Sequence, residues 1–154
     1  MTEATTPIRL SAEIRVQCPR EKAFAYVADI RSHPRWSVDD MEVLQADPDP
    51  VGVGWRCRTT GHSVVRGGAQ EAEIEVTAFE PPDQFAFRAV SHGTHVFDNV
   101  FYFREQDGET VIERVLIHDA PPDTIERMKV VGPDVGRRRN EGLQLLKEQL
   151  EAAP

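Results

Sequence analysis

The sequence predicts an α+β fold: a curved antiparallel sheet of about six to seven strands wrapped around one long C-terminal helix, with two short helices after the first strand. Three observations carry that expectation. Apolar and polar residues alternate from Ile8 to Gln17 and in several segments between Met41 and Asp119, the period of strands with one buried face. Turn-forming clusters separate those segments, among them Asp47-Pro48-Asp49-Pro50, Gly67-Gly68, Pro81-Pro82-Asp83 and Asp107-Gly108. Beyond Asp134 the period lengthens, and Val135, Gly142, Leu143, Leu146 and Leu150 form one helical stripe.

The first strand sets Ile8, Leu10, Ala12, Ile14 and Val16 against Arg9, Ser11, Glu13, Arg15 and Gln17. Cys18-Pro19-Arg20-Glu21 then opens a helix, with Pro19 in the first turn, where a missing N–H costs nothing. Ala23, Phe24, Val27 and Ile30 give it an apolar face, and Pro34 ends the run. His33-Pro34-Arg35-Trp36-Ser37 reads as a turn or second small helix. Strands follow at Met41 to Ala46 and at Gly54 to Thr60, where Trp55, Cys57 and Thr59 oppose Arg56 and Arg58. The next, Glu71 to Phe79, turns Ala72, Ile74, Val76 and Ala78 to one side. Gln84 to Ser91, Val96 to Glu105 and Thr110 to Asp119 complete the sheet, the last two joined at the hairpin signal Asp107-Gly108. Thr124 to Val131 reads as helix, Gly132-Pro133 interrupts it, and Asp134 to Ala153 is the final helix.

With 154 residues, 40% hydrophobic and 29% charged, the chain has the size and composition of one globular domain spanning residues 1–154. Its formal net charge of -8 argues against nucleic acid as a partner. The basic run Arg137-Arg138-Arg139 falls within the helical stretch and reads as a solvated face. No window reaches the roughly 18 apolar residues of a membrane span. Residues 1–7 lack the pattern of a signal peptide. Cys18 and Cys57 have no metal or redox spacing, which points to reduced thiols in the cytoplasm.

Certain residues carry a resemblance. They are the segment from Cys18 to Ile30 after an opening strand, His33-Pro34-Arg35-Trp36-Ser37, Gly52-Val53-Gly54 before a strand, and Phe79-Glu80-Pro81-Pro82 with Phe85-Ala86-Phe87. The chain resembles the START-like superfamily, also called SRPBCC, and within it the polyketide cyclase/dehydrase branch. The resemblance covers nearly the whole chain. It implies a helix-grip fold with a cavity between the concave sheet face and the last helix, and it places Trp36 near that cavity. Members include lipid carriers, hormone receptors and cyclases, so fold does not specify function. No complete cyclase motif is present, and neither His62 nor Arg66 aligns with a catalytic position.

A two- or four-residue loop at Asp107-Gly108 pairs Phe103 with Ile112, Phe101 with Arg114, Asn99 with Leu116 and Phe97 with His118. Partners across strands share a face. That aromatic-rich face is the expected concave one, and Asp98, Tyr102, Arg104, Val111 and Glu113 suit solvent. A three-residue loop would instead bring Tyr102, Glu113 and Asp119 inward. Asn99, Arg114 and His118 on an apolar face either orient a ligand carbonyl, phenolate or carboxylate, or reach water and each other. The expected ligand-binding set is Trp36, Trp55, Ile74, Phe87, Phe97, Asn99, Phe101, Arg114, Leu116 and Leu143, with Arg114 and His118 as catalytic candidates. His92, His95 and Asp98 flank a turn but form no metal motif, and no metal or other cofactor is expected. Nucleophile elbows and phosphate loops are absent from the sequence. The expected partner is a small hydrophobic molecule such as a lipid, a polyketide or an aromatic metabolite, bound by a monomer or homodimer. A cyclase or dehydratase in the same cavity is the alternative. A core filled by its own aromatic side chains is a third reading.

Overall fold

The computed structural model describes residues 6–37, 41–62, 69–91, 95–120 and 122–152. Its elements run in the predicted order. Strand β1 (Thr6–Val16) leads to helix α1 (Arg20–Val27) and a 3₁₀ helix (Ile30–Arg35). Strands β2 (Glu42–Ala46), β3 (Arg56–His62), β4 (Ala69–Glu80), β5 (Gln84–Ser91), β6 (His95–Gln106) and β7 (Glu109–Ala120) follow, and helix α2 (Pro122–Ala152) closes the chain. All seven strands form one antiparallel sheet in the order β1-β7-β6-β5-β4-β3-β2.

The β6–β7 turn has two residues, with Asp107 at φ 53° and Gly108 at φ 79°. Positive φ at both central positions matches the right-handed twist of the flanking strands. The register is therefore the expected one, Phe103 opposite Ile112, Phe101 opposite Arg114, Asn99 opposite Leu116 and Phe97 opposite His118. In β1 the alternation also holds, with Ile8, Leu10, Ala12, Ile14 and Val16 turned inward. The concave face packs against α1 and α2 through Val16, Phe24, Val27, Phe103, Ile112, Leu143, Leu146 and Leu150.

Four local readings are corrected. Pro19 stands at the N-cap rather than inside the first turn, and its carbonyl accepts from the amides of Lys22 and Ala23, both at 3.1 Å. Strand β4 slips register between Val76 and Ala78, so the inward set passes from Ile74 and Val76 to Phe79. A bulge adds one residue on one strand and so exchanges the faces beyond it. Val111 is buried although it lies on the outer face. Its register partners on both sides are Arg15 and Arg104, and the aliphatic stem of an arginine shields apolar neighbours. Finally, Gly132-Pro133 does not divide the C-terminal helix. A proline removes one helical hydrogen bond, whereas Leu143, Leu146 and Leu150 bury a whole stripe beyond it.

Candidate functional site

Two parts of the chain meet over the middle of the concave face. The first is the 3₁₀ helix. Asp29 caps it by accepting from the Arg31 amide at 3.0 Å, and the Ser32 hydroxyl lies 2.6 Å from the Tyr26 carbonyl and 2.7 Å from that of Asp29. Three residues per turn stack side chains at intervals of three, which puts Ile30, His33 and Trp36 on one buried face. The second part is the β6–β7 register, which brings Asn99, Phe101 and Arg114 inward together.

Arg114 lies between two rings. Its guanidinium carbon is 5.7 Å from the centre of Trp36 and 5.3 Å from that of Phe101, and it donates to Asn99 Oδ1 at 3.3 Å. Cation–π contacts of this kind contribute about 0.5–2 kcal/mol each. His33 packs on Trp36 at 4.6 Å, and its Nε2 donates to the Val27 carbonyl at 2.8 Å. That bond assigns the proton to Nε2 and leaves Nδ1 as the acceptor. Burial pushes the His33 pKa down to about 4; the Arg114 charge adds to the fall, and the Val27 hydrogen bond opposes it. His33 is therefore neutral at pH 7. Trp36 is 1% exposed, and its indole N–H has no acceptor among the described residues. An unpartnered buried donor costs about 1–3 kcal/mol.

These groups line a cavity of about 180 Å³, open on one side, whose walls include His33, Trp36, Met41, Thr59, Ile74, Phe87, Asn99 and Arg114. Its lining mixes apolar side chains with one cation, a neutral imidazole, and the hydroxyl and amide groups of Ser37, Thr59, Thr60, Gln70 and Asn99, which offer both donors and acceptors. Among the described residues its wall opposite the sheet comes from the 3₁₀ helix, not from α2. Helix α2 lies behind, where Gly142 comes so close that a Cβ there would sit 3.1 Å from the Trp36 carbonyl oxygen.

Of the ten expected ligand-binding residues, Trp36, Ile74, Phe87, Asn99 and Arg114 line this cavity. Phe101 lies directly under Arg114, and Leu116 pairs with Asn99. Leu143 belongs to the core. Phe97 stacks on His118 at 4.1 Å, further along the strands and outside the cavity wall, so the two catalytic candidates do not share it. Trp55 is buried elsewhere, its indole donating to the Asp47 carbonyl at 3.1 Å. His33, Met41 and Thr59 were not expected in the site. The three-residue spacing of His33 and Trp36 is the signal that could have found the histidine.

Arg66 and His92 lie outside the described residues, and Asp98 is held by Arg88 at 2.9 Å. Burial raises the pKa of both thiols, that of Cys57 to about 12, so neither is an activated nucleophile. Of the larger surface grooves among the described residues, two show the contrast. One of about 410 Å³ runs across the outer face at Arg56, Arg58, Glu73 and Arg88, and one of about 470 Å³ lies between α1 and the β4–β5 turn. The concave cavity is smaller than either, but it alone combines buried donors with aromatic walls among these three.

The profile of the family described as polyketide cyclase / dehydrase and lipid transport matches residues 7–151. No curated protein matches the sequence. Solved structures share the fold at low identity. Protein Ms6760 from Mycobacterium smegmatis is 20% identical with a TM-score of 0.69, over 95% of this chain and 92% of that one. A Rhodobacter sphaeroides protein is 16% identical with a TM-score of 0.71, over 95% and 93%. The di-domain ARO/CYC protein StfQ from the steffimycin biosynthetic pathway is 10% identical with a TM-score of 0.74. That match covers 94% of this chain and 50% of StfQ.

Proposed function

The chain belongs to the polyketide cyclase/dehydrase and lipid transport family, and from that premise we propose that it binds a small hydrophobic or aromatic molecule in the cavity beneath Trp36. The observation that supports this most directly is the pairing of apolar walls with inward polar groups, Ile74 and Phe87 beside Asn99 and Arg114. Small-molecule sites have this make-up, largely apolar with a few placed polar groups. The volume of about 180 Å³ falls below the roughly 300 Å³ of drug-sized pockets, which favours a small ligand over a long acyl chain. Much of the concave face is filled by its own aromatics, Phe85 and Phe101 among them.

A cyclase or dehydratase acting in the same cavity is the second reading, favoured by the likeness of fold to an ARO/CYC protein. Proton transfer works best from a group whose pKa lies near the working pH. His33, at about 4, is a weak base, so binding is placed first. The two free thiols suit a reducing cytoplasm, and no helix among the described residues is long and apolar enough to cross a membrane. The net charge of -8 disfavours nucleic acid. Native mass spectrometry of the purified full chain tests the binding reading. A discrete added mass lost on denaturation is the expected result. A bare mass together with turnover of a polyketide-like substrate would move the assignment to the enzyme.

A further inference from the structure

We propose that this chain forms a two-fold homodimer in which β1 pairs with the β1 of a second copy, antiparallel and centred on Ser11, so that the two sheets continue into one. This dimer is independent of whatever the cavity holds.

The backbone of β1 is half used. In the two-residue β6–β7 hairpin, Gln106 and Glu109 flank the turn as a hydrogen-bonded pair. Along β7 the odd-numbered residues then bond to β6, and the even-numbered ones from Thr110 to His118 turn to β1. Their partners are the even-numbered residues Ile8 to Val16. The N–H and C=O groups of Arg9, Ser11, Glu13 and Arg15 therefore point away from the sheet, and all four residues are exposed. In keeping with this, the Arg15 carbonyl accepts from Lys147 of α2 at 3.2 Å. Lys147 is held in turn by Glu151 at 2.5 Å, which closes that end of the edge. At the other end Pro7 has no N–H to offer. Between them Arg9, Ser11 and Glu13 have no strand beside them among the described residues.

An open edge is a template for another strand, and the sequence of β1 selects its own copy in one register. With Ser11 opposite Ser11 of the second copy, Arg9 faces the other Glu13 and Glu13 faces the other Arg9. Opposite charges directly across an antiparallel pair are stabilising. Pro7 falls opposite Arg15, so the missing donor meets the carbonyl that Lys147 already occupies. On the inner face Ile8 meets Ile14 and Leu10 meets Ala12, all half-buried in the single chain. Neighbouring symmetric registers lose these matches. Centring on Leu10 sets Pro7 against Glu13 and leaves the Glu13 carbonyl without a donor. Centring on Ala12 sets Arg9 against Arg15, like charge on like charge.

Sedimentation equilibrium of the full chain over a concentration series tests this. A single strand pair falls at the small end of specific interfaces, below about 1,200 Å² in total, so a reversible monomer–dimer equilibrium is expected. A single-chain mass at every concentration up to about 1 mM overturns the second copy as occupant and leaves the edge to a strand of another protein. Arg9→Glu sets like charges across the interface twice and should weaken the dimer at least about tenfold, as should Glu13→Arg. Mixed in equal amounts, the two variants restore both opposite-charge pairs and should regain the lost affinity, which also shows that both fold. On the unaltered chain, exchange of the Arg9, Ser11 and Glu13 amides should slow at least about tenfold as the dimer forms, whereas Leu10 and Ala12, already bonded to β7, should change little. A dimer indifferent to Arg9→Glu, or one that forms without protecting those three amides, overturns β1 as the contact. A mixture that stays monomeric, while both variants keep the far-ultraviolet spectrum of the unaltered chain, overturns the register.

Discussion

Inside the 3₁₀ helix, His33 gives its Nε2 proton to Val27 while its ring supports Trp36, so a change in its protonation reaches the cavity wall directly. Its pKa is about 4 in the folded chain, against an ordinary 6.5. Between those values the unfolded chain binds the extra proton and the folded chain does not. The stability from neutral His33 is therefore fully present above pH 6.5 and is lost as the pH falls toward 4. Each pH unit of that gap corresponds to about 1.4 kcal/mol, which makes the whole effect roughly 3 kcal/mol. Denaturant unfolding at pH 7.5 and pH 4.5 should show His33→Gln losing about 2–3 kcal/mol less than the unaltered chain across that interval. Equal losses in both chains would show that His33 does not govern this part of the acid response.

Helix α2 is placed by polar anchors as well as by its leucines. The Tyr26 hydroxyl donates to Gln149, whose amide donates to the Arg35 carbonyl, tying α2 to both ends of the segment that carries His33 and Trp36. Lys22 reaches the Leu150 carbonyl at 2.9 Å, and Glu151 accepts from the Gln17 amide at 2.8 Å. Two glycines of this helix have opposite prospects. At Gly136 a Cβ meets nothing within 4 Å, so Gly136→Ala should stabilise by about 0.5–1 kcal/mol through helix propensity. At Gly142 a Cβ would stand 3.1 Å from the Trp36 carbonyl oxygen. Gly142→Val forces branched bulk into that contact and should cost about 1–3 kcal/mol, read by thermal melting. A neutral Gly142→Val would mean that α2 does not press on the cavity roof.

Across the molecule, β7 and β6 sit inside the sheet with a partner on each side, whereas β1 and β2 are its edges. Strand β2 is short, slips register between Val43 and Gln45, and leaves Leu44 46% exposed. Its backbone bonds lie close to water, and the 12-residue strands β6 and β7 pack Phe101, Phe103 and Ile112 beneath them. Hydrogen exchange should therefore be slowest in β6 and β7 and orders of magnitude faster in β2. Uniform exchange across the sheet would mean that it opens only as a whole.

The sequence by itself determined the order of elements, the inward set of β1 and the β6–β7 pairing, and hence the meeting of Asn99, Phe101 and Arg114. Those features depend on periods of two and on a two-residue turn, which are local properties of the chain. The family was legible too, through Cys18 to Ile30, His33 to Ser37 and the Phe79 to Phe87 region. Tertiary structure decided what local periods do not encode. The β4 bulge brings Phe79 inward, because an added residue changes facing without changing composition. Proline at position 133 does not stop α2, because burial of the leucine stripe outweighs one lost hydrogen bond. The roof of the cavity was decided the same way. It falls to His33 and Trp36 because capping by Asp29 and Ser32 folds the segment back over the sheet, with α2 pressing from behind at Gly142. That closure joins residues more than a hundred positions apart, and no periodicity in the chain records it.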